Sequence, residues 1–294
     1  ANVREAAALA LLNFSTSRAG TNMIVANSQM KDVQTIKIMV QALIEPSALV
    51  SLYLVSALGN ICRYSEGTEL ALSAGIVEKL VDMLSAAPPS DNEIPIDSPI
   101  SGTPAGTRLQ TLNTMWNAGN HLRGKEELIE QGAVPVITTA LNDVSSAVRR
   151  CASGALMTLS VDEGGKSAIM EHSLEQLPKL LLDEHESVRE NARICIVHAS
   201  ENRMARLMFV QQLIQTWSGS VEQSSELVLR VFGKNAAEPL CELLAPSESK
   251  ADELERATVA INDIMIELGQ AGNDAVMSTL YVTERLADRL KDER

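Results

Sequence analysis

The sequence predicts an all-α solenoid of stacked helical repeats, and three observations carry that expectation. Val148-Arg149-Arg150-Cys151-Ala152 realigns with Val188-Arg189-Glu190-Asn191-Ala192 at an offset of 40 residues, a period typical of helical repeat arrays. Apolar residues make up 45% of the chain but aromatics only 3%, so the core is built from Ala, Leu, Ile, Val and Met, which suits closely packed helices. No sustained alternation of β-branched and polar residues bounded by turn pairs is found. A unit of this kind cannot bury its apolar face alone and stacks on its neighbours, leaving a long surface for a partner.

The elements follow in order. Strong helix formers run through Arg4–Ser15 and end at a polar stretch containing Gly20. Comparable long helices are expected over Ser47–Cys62, Arg108–Leu122, Ser146–Leu159 and Ser187–Ser200. Those over Ser47–Cys62, Arg108–Leu122 and Ser146–Leu159 are each followed by a short helix (Thr68–Ala74, Lys125–Gln131, Gly165–Glu171) and then by another apolar one (Ile76–Leu84, Val134–Leu141, Leu174–Leu182). Gly75 and Gly132 fit the left-handed position that ends a helix, and Pro135 fits an early helical position where its missing N–H costs little. Residues 85–107 hold five of the ten prolines and are expected to be a mobile insertion. That insertion accounts for the 57 residues between Gly75 and Gly132. Ser98-Pro99 and Thr103-Pro104 within it have the pattern of proline-directed phosphorylation sites, although an unmodified spacer is the simpler reading. After residue 205 the register weakens: Leu207–Trp217, Ser225–Phe232, Ala236–Leu244, Leu254–Leu268 and Ala275–Arg289 read as further helices of divergent capping repeats, 206–294. The whole chain, 1–294, is read as one repeat domain, with 1–205 its most regular part.

Composition excludes several classes of function. A net charge of −13 without a Lys/Arg cluster disfavours a phosphate backbone as ligand, so no nucleic-acid partner is expected. No window approaches the ~18 continuous apolar residues of a membrane span, and none of the features of a signal peptide is seen, so no membrane insertion is expected. Cys62, Cys151, Cys195 and Cys241 are widely separated, and those inside helical patterns read as small core residues; a reducing, cytoplasmic setting follows, with nuclear or ciliary placement compatible. The terminal Lys291-Asp292-Glu293-Arg294 has Arg where a retrieval signal needs Leu. No Gly-rich phosphate loop, nucleophile elbow or metal-ligand spacing of His and Cys is present, so neither an enzyme nor a cofactor is expected.

The pattern Ala-Leu-x-Asn-Leu/Ile-Ser/Cys, a polar link, then Gly-Ala/Ile-Val-Pro/Glu-x-Leu-Val-x-Leu-Leu resembles the armadillo repeat of β-catenin and importin-α. Its clearest instance is Trp116-Asn117-Ala118-Gly119-Asn120-His121-Leu122-Arg123-Gly124 followed by Gly132-Ala133-Val134-Pro135. The resemblance implies a right-handed superhelix whose third helices line a concave groove. By position it implies that asparagine amides in that groove hold a peptide backbone, donating and accepting at once, while tryptophan walls its side chains. Aligning the third helices places Asn13, Asn60, Asn120, Thr158 and His198 together, with Leu9, Ser56, Trp116, Gly154 and Ile194 one turn earlier. Asn60, Trp116, Asn120, Ser56 and His198 are therefore candidate groove residues. Arg63, Arg123 and Arg150 add positive charge there, which favours an acidic partner over a basic nuclear-import peptide.

The expected function is a non-enzymatic scaffold or adaptor that binds an extended, partly acidic segment of another protein. Two alternatives stand beside it. One is a structural subunit of a large assembly, since residues 148–200 are loosely similar to armadillo proteins of ciliary radial spokes. The other is a chaperone- or exchange-factor-like regulator gripping a folded client.

Overall fold

The computed structural model describes residues 2–30, 34–44, 47–93, 104–216, 221–244, 251–267, 269–277 and 279. Every regular element among them is helical. The chain separates into two compact units, one formed by residues 1–173 with 185–191 and the other by 174–184 with 192–294.

The first unit contains α1 (Asn2–Ser15), α2 (Arg18–Gln29), α3 (Thr35–Gln41), α4 (Ala48–Ile61), α5 (Ser65–Ser73), α6 (Ile76–Ala86), α7 (Pro104–Gly119), α8 (Leu122–Glu130), α9 (Ala133–Thr139), α10 (Ser146–Leu159) and α11 (Glu163–His172). The long helices α1, α4, α7 and α10 pack side by side, and the short helices α2, α5, α8 and α11 form a second row. Helix α4 shows what such a position demands. Val50, Leu54, Ala57, Leu58 and Ile61 are all buried, because the helix has neighbours on both flanks. Gly75 and Gly132 sit at φ 78° and 69° ahead of α6 and α9, the left-handed conformation expected for them.

The stretch around Gly20 is not merely a polar end to the first helix: α2 and α3 occupy it, so the first long helix is followed by the same short pair as the others. Ser17 caps α2 by accepting from the Gly20 N–H at 3.0 Å. The sequence hides this helix because its buried stripe is small, only Gly20, Thr21, Ile24 and Val25.

A single device repeats at each turn from a long helix into a short one. A methyl group at Gly20, Gly67, Gly124 or Gly165 would lie 1.9–2.5 Å from the carbonyl oxygen of Phe14, Ile61, Ala118 or Leu159, in each case six residues back. Only glycine lets the chain fold that closely onto the preceding helix. Thr21 and Thr68 reinforce the turn by donating to the Ser15 and Cys62 carbonyls, both at 3.0 Å.

The Pro-rich segment is shorter than 85–107 as irregular chain. Ser85 and Ala86 complete α6, and α7 starts at Pro104. Between them, residues 87–93 are tied down by a buried cluster. Arg108 donates to the Ala87 carbonyl (3.0 Å) and pairs with Asp143 (3.1 Å). Asp143 also accepts from the Ser90 N–H, and the Glu93 carboxylate receives the Ser146 N–H at the start of α10, where the helix dipole favours a negative charge. Ser98-Pro99 and Thr103 lie outside the described residues.

The second unit holds α12 (Leu177–Leu180), most of α13 (Glu186–Ala199), α14 (Arg203–Thr216), α15 (Val221–Phe232), α16 (Ala237–Leu243), α17 (Ala251–Glu267) and α18 (Gly269–Met277). Helix α12 is only one turn, where Leu174–Leu182 was expected. Helix α18 ends before most of the expected Ala275–Arg289 helix, the rest of which lies outside the described residues. The core is Phe209, Val210, Leu213, Val228, Leu240, Ile261 and Ile264. Arg203 pairs with Glu238 at 2.8 Å and with Glu242, and Arg256 donates to the Ile214 carbonyl at 2.7 Å.

Candidate functional site

The turn glycines define which residues of the long helices are equivalent. Counting back six from each gives Phe14, Ile61, Ala118 and Leu159; the N-caps Ser17, Tyr64, His121 and Asp162 keep the same register. The ladder in this register is Asn13, Asn60, Asn117 and Thr158. Asn117, not Asn120, is therefore the partner of Asn60. Asn120 lies just beyond the end of α7, at the position of Arg63 beyond α4. The Trp116-x-x-x-Asn120 spacing drew the sequence alignment three residues out of register.

The ladder amides join neighbouring helices. Asn60 Nδ2 donates to Ser15 Oγ of α1 and Asn117 Nδ2 to the Gly59 carbonyl of α4, both at 3.0 Å. Asn191 Nδ2 donates to the Arg150 carbonyl at 3.2 Å. Thr114 Oγ1 completes the α4–α7 seam with a bond to the Val55 carbonyl at 3.0 Å. Thr158 is buried and its hydroxyl bonds the Ala155 carbonyl (2.8 Å). Ser56 is likewise buried, with its hydroxyl on the Leu52 carbonyl (2.7 Å), so the structure does not place it on the surface. Arg123 is held by Glu69 of α5 at 2.5 Å, in the row of short helices. Arg63, Asn13 and Asn120 are exposed. His198 is half-buried and belongs to the second unit.

The seam between α7 and α10 is different. A methyl at Gly154 would fall 2.6 Å from the Trp116 ring, so the indole lies directly against the backbone of α10. The Arg150 guanidinium lies over the same ring, 5.8 Å from its centroid, within reach of a cation–π attraction. Both residues are half-buried. Arg150 Nε is buried without a hydrogen-bond partner, and no carboxylate pairs with the guanidinium among the described residues. Asn113, one turn before Asn117 and half-buried, shares this face.

No protein-family model matches the chain, and no curated protein matches it in sequence. Solved structures do match its backbone. One is an engineered protein, at TM-score 0.63 and 19% identity over 97% of this chain and 69% of that one. Another is a designed armadillo repeat protein, at TM-score 0.58 and 19% identity over 88% and 92%. A third is a designed armadillo repeat protein solved in complex with the peptide (KR)4, at TM-score 0.54 and 18% identity over 86% and 98%. The fold is that of the armadillo repeat.

The armadillo core also explains the cysteines. All four are buried, and none is in a disulfide. Burial pushes the Cys62 thiol from 9.0 up to about 12, against a lowering hydrogen bond with Thr68, and the Cys151 thiol up to about 11, against the charge of Arg150. Thiols held protonated in this way are packing groups, not nucleophiles or ligands. Among the described residues no three His, Cys, Asp or Glu side chains are grouped to hold a metal ion, and no helix is long and apolar enough to cross a membrane.

Proposed function

We propose that the chain is a non-enzymatic scaffold that holds an extended segment of a partner protein across the long-helix face of its first unit. The observation that carries this reading is the Trp116 ledge. A large aromatic surface is laid flat on Gly154 and left half-exposed beside a charged group, the composition of binding hot spots. The designed armadillo protein solved with a peptide supports the same use of the fold. In this reading Trp116, Arg150 and Asn113 contact the partner. Asn120 and Arg63, exposed beyond the helix ends, lie at the margin, while Asn60 and Asn117 set the spacing of the helices beneath it. His198 would act separately, in the second unit. One armadillo domain over 1–294, and an intracellular setting suited to four cysteines outside any disulfide, belong to the same proposal.

Selection from a displayed library of linear peptides tests it. Wild-type protein should enrich peptides that the folded Trp116→Ala protein no longer retains, with a loss of about 2 kcal/mol in affinity. Enrichment that is indifferent to Trp116→Ala would move the partner site elsewhere and favour an assembly subunit or a regulator of a folded client.

A further inference from the structure

We infer that Arg150 is the specificity-determining residue of this face and takes an aspartate or glutamate side chain of the bound segment. The inference rests on the scaffold reading and adds the chemistry of its partner.

Several other arginines have acidic partners within the chain. Arg108 has Asp143, Arg123 has Glu69, and Arg203 has Glu238 and Glu242. Arg149, adjacent in sequence, donates to the Asp143 and Val144 carbonyls at 2.9 and 2.8 Å. With 38 acidic residues against 25 basic ones, a cation here has acids to choose from. Arg150 nevertheless has no acidic partner among the described residues. Leaving a half-buried guanidinium unpaired is costly, so the arrangement is explained best by a partner that arrives from outside.

The geometry suits a planar acceptor. The Arg150 guanidinium lies over the Trp116 ring, and a guanidinium carries its N–H donors along its edge, in the fork that matches a carboxylate. Gly154 makes this possible, because any side chain there would lift the ring. The flanking groups on α7, Asn113 and Asn117, are uncharged amides and do not compete for the cation. The Asn117 N–H already serves the Gly59 carbonyl. An acidic side chain seated here would lie over an indole, partly shielded from water, where its attraction to Arg150 is less screened than on an open surface.

Fluorescence anisotropy with labelled (EA)4 and (KA)4 peptides, together with a peptide selected from the displayed library, tests the inference. Wild-type protein should bind (EA)4 at least tenfold more tightly than (KA)4. Arg150→Gln should abolish that preference, while Arg150→Lys, which keeps the charge but loses the fork, should retain only part of it. Circular dichroism confirms that each variant is folded. Absence of an acidic preference in the wild type, or an equal preference in Arg150→Gln, overturns the inference. A selected peptide that still needs Trp116 but ignores Arg150→Gln would overturn it while leaving the scaffold reading intact; a wild-type protein that binds none of these peptides would overturn both.

Discussion

The α4–α7 and α7–α10 seams join the same kinds of helix and are finished differently. Between α4 and α7, Gly59 meets Thr114, Thr114 donates to the Val55 carbonyl, and Asn117 donates to the Gly59 carbonyl. These polar groups find their partners inside the seam. Between α7 and α10 the ends are closed by Arg108–Asp143 and by Gly119 against Thr158. In the middle, however, the seam carries an indole and an arginine with no acidic partner. One seam is built for stability alone. The other is closed at its ends and carries the half-buried Trp116–Arg150 contact at its centre, where the proposed site lies.

Substitutions can break each part of this contrast. The largest effect is expected from Asp143→Ala, which leaves Arg108 buried and unpaired and releases Ser90; urea unfolding should show a loss of about 3–5 kcal/mol. Gly154→Ala should cost about 1–3 kcal/mol through overpacking. In a Trp217→Phe background, where Trp116 is the remaining tryptophan, it should also red-shift the emission as the ring is pushed into water. Asn117→Ala should lower stability by about 1 kcal/mol and leave peptide affinity unchanged, whereas Asn113→Ala should do the reverse.

Cys62, directly after α4, and Cys151, within α10, give a pH test. Cys62 and Cys151 are raised above 9.0 in the folded chain, so their contribution is fully present below pH 9. Above that pH the unfolded chain ionises and the folded chain does not, and the contribution is lost as pH rises toward 11–12. A Cys62→Ala, Cys151→Ala protein should lose stability less steeply than wild type between pH 9 and 11, followed by circular dichroism. The smallest stability effect, within about 0.5 kcal/mol, is expected for Arg150→Gln, which removes a group that no carboxylate of the described residues holds.

Much of the fold was legible in the sequence because repeated packing imposes repeated composition. The 40-residue offset, Gly75 and Gly132 all report local backbone demands. The register of the third repeat differs from the one that the Trp116-x-x-x-Asn120 spacing suggests, because Asn117 and not Asn120 is equivalent to Asn60. The better guide was present as a cap followed three residues later by glycine: Ser17 and Gly20, Tyr64 and Gly67, His121 and Gly124, Asp162 and Gly165. The Arg108–Asp143 cluster was not legible at all, because nothing in one sequence distinguishes a buried arginine from an exposed one. At the site, Trp116 and Arg150 were both candidates. Their contact was hidden, since it depends on Gly154 bringing the backbone of α10 against the ring.

The most direct test of the central claim is a double-mutant cycle between Arg150 and single glutamates of a bound acidic peptide, measured by calorimetry. One glutamate should couple to Arg150 by about 1 kcal/mol or more, within the range for groups in contact, and that coupling should vanish in Gly154→Ala. Coupling energies near zero at every glutamate, with peptide binding otherwise intact, would contradict the account.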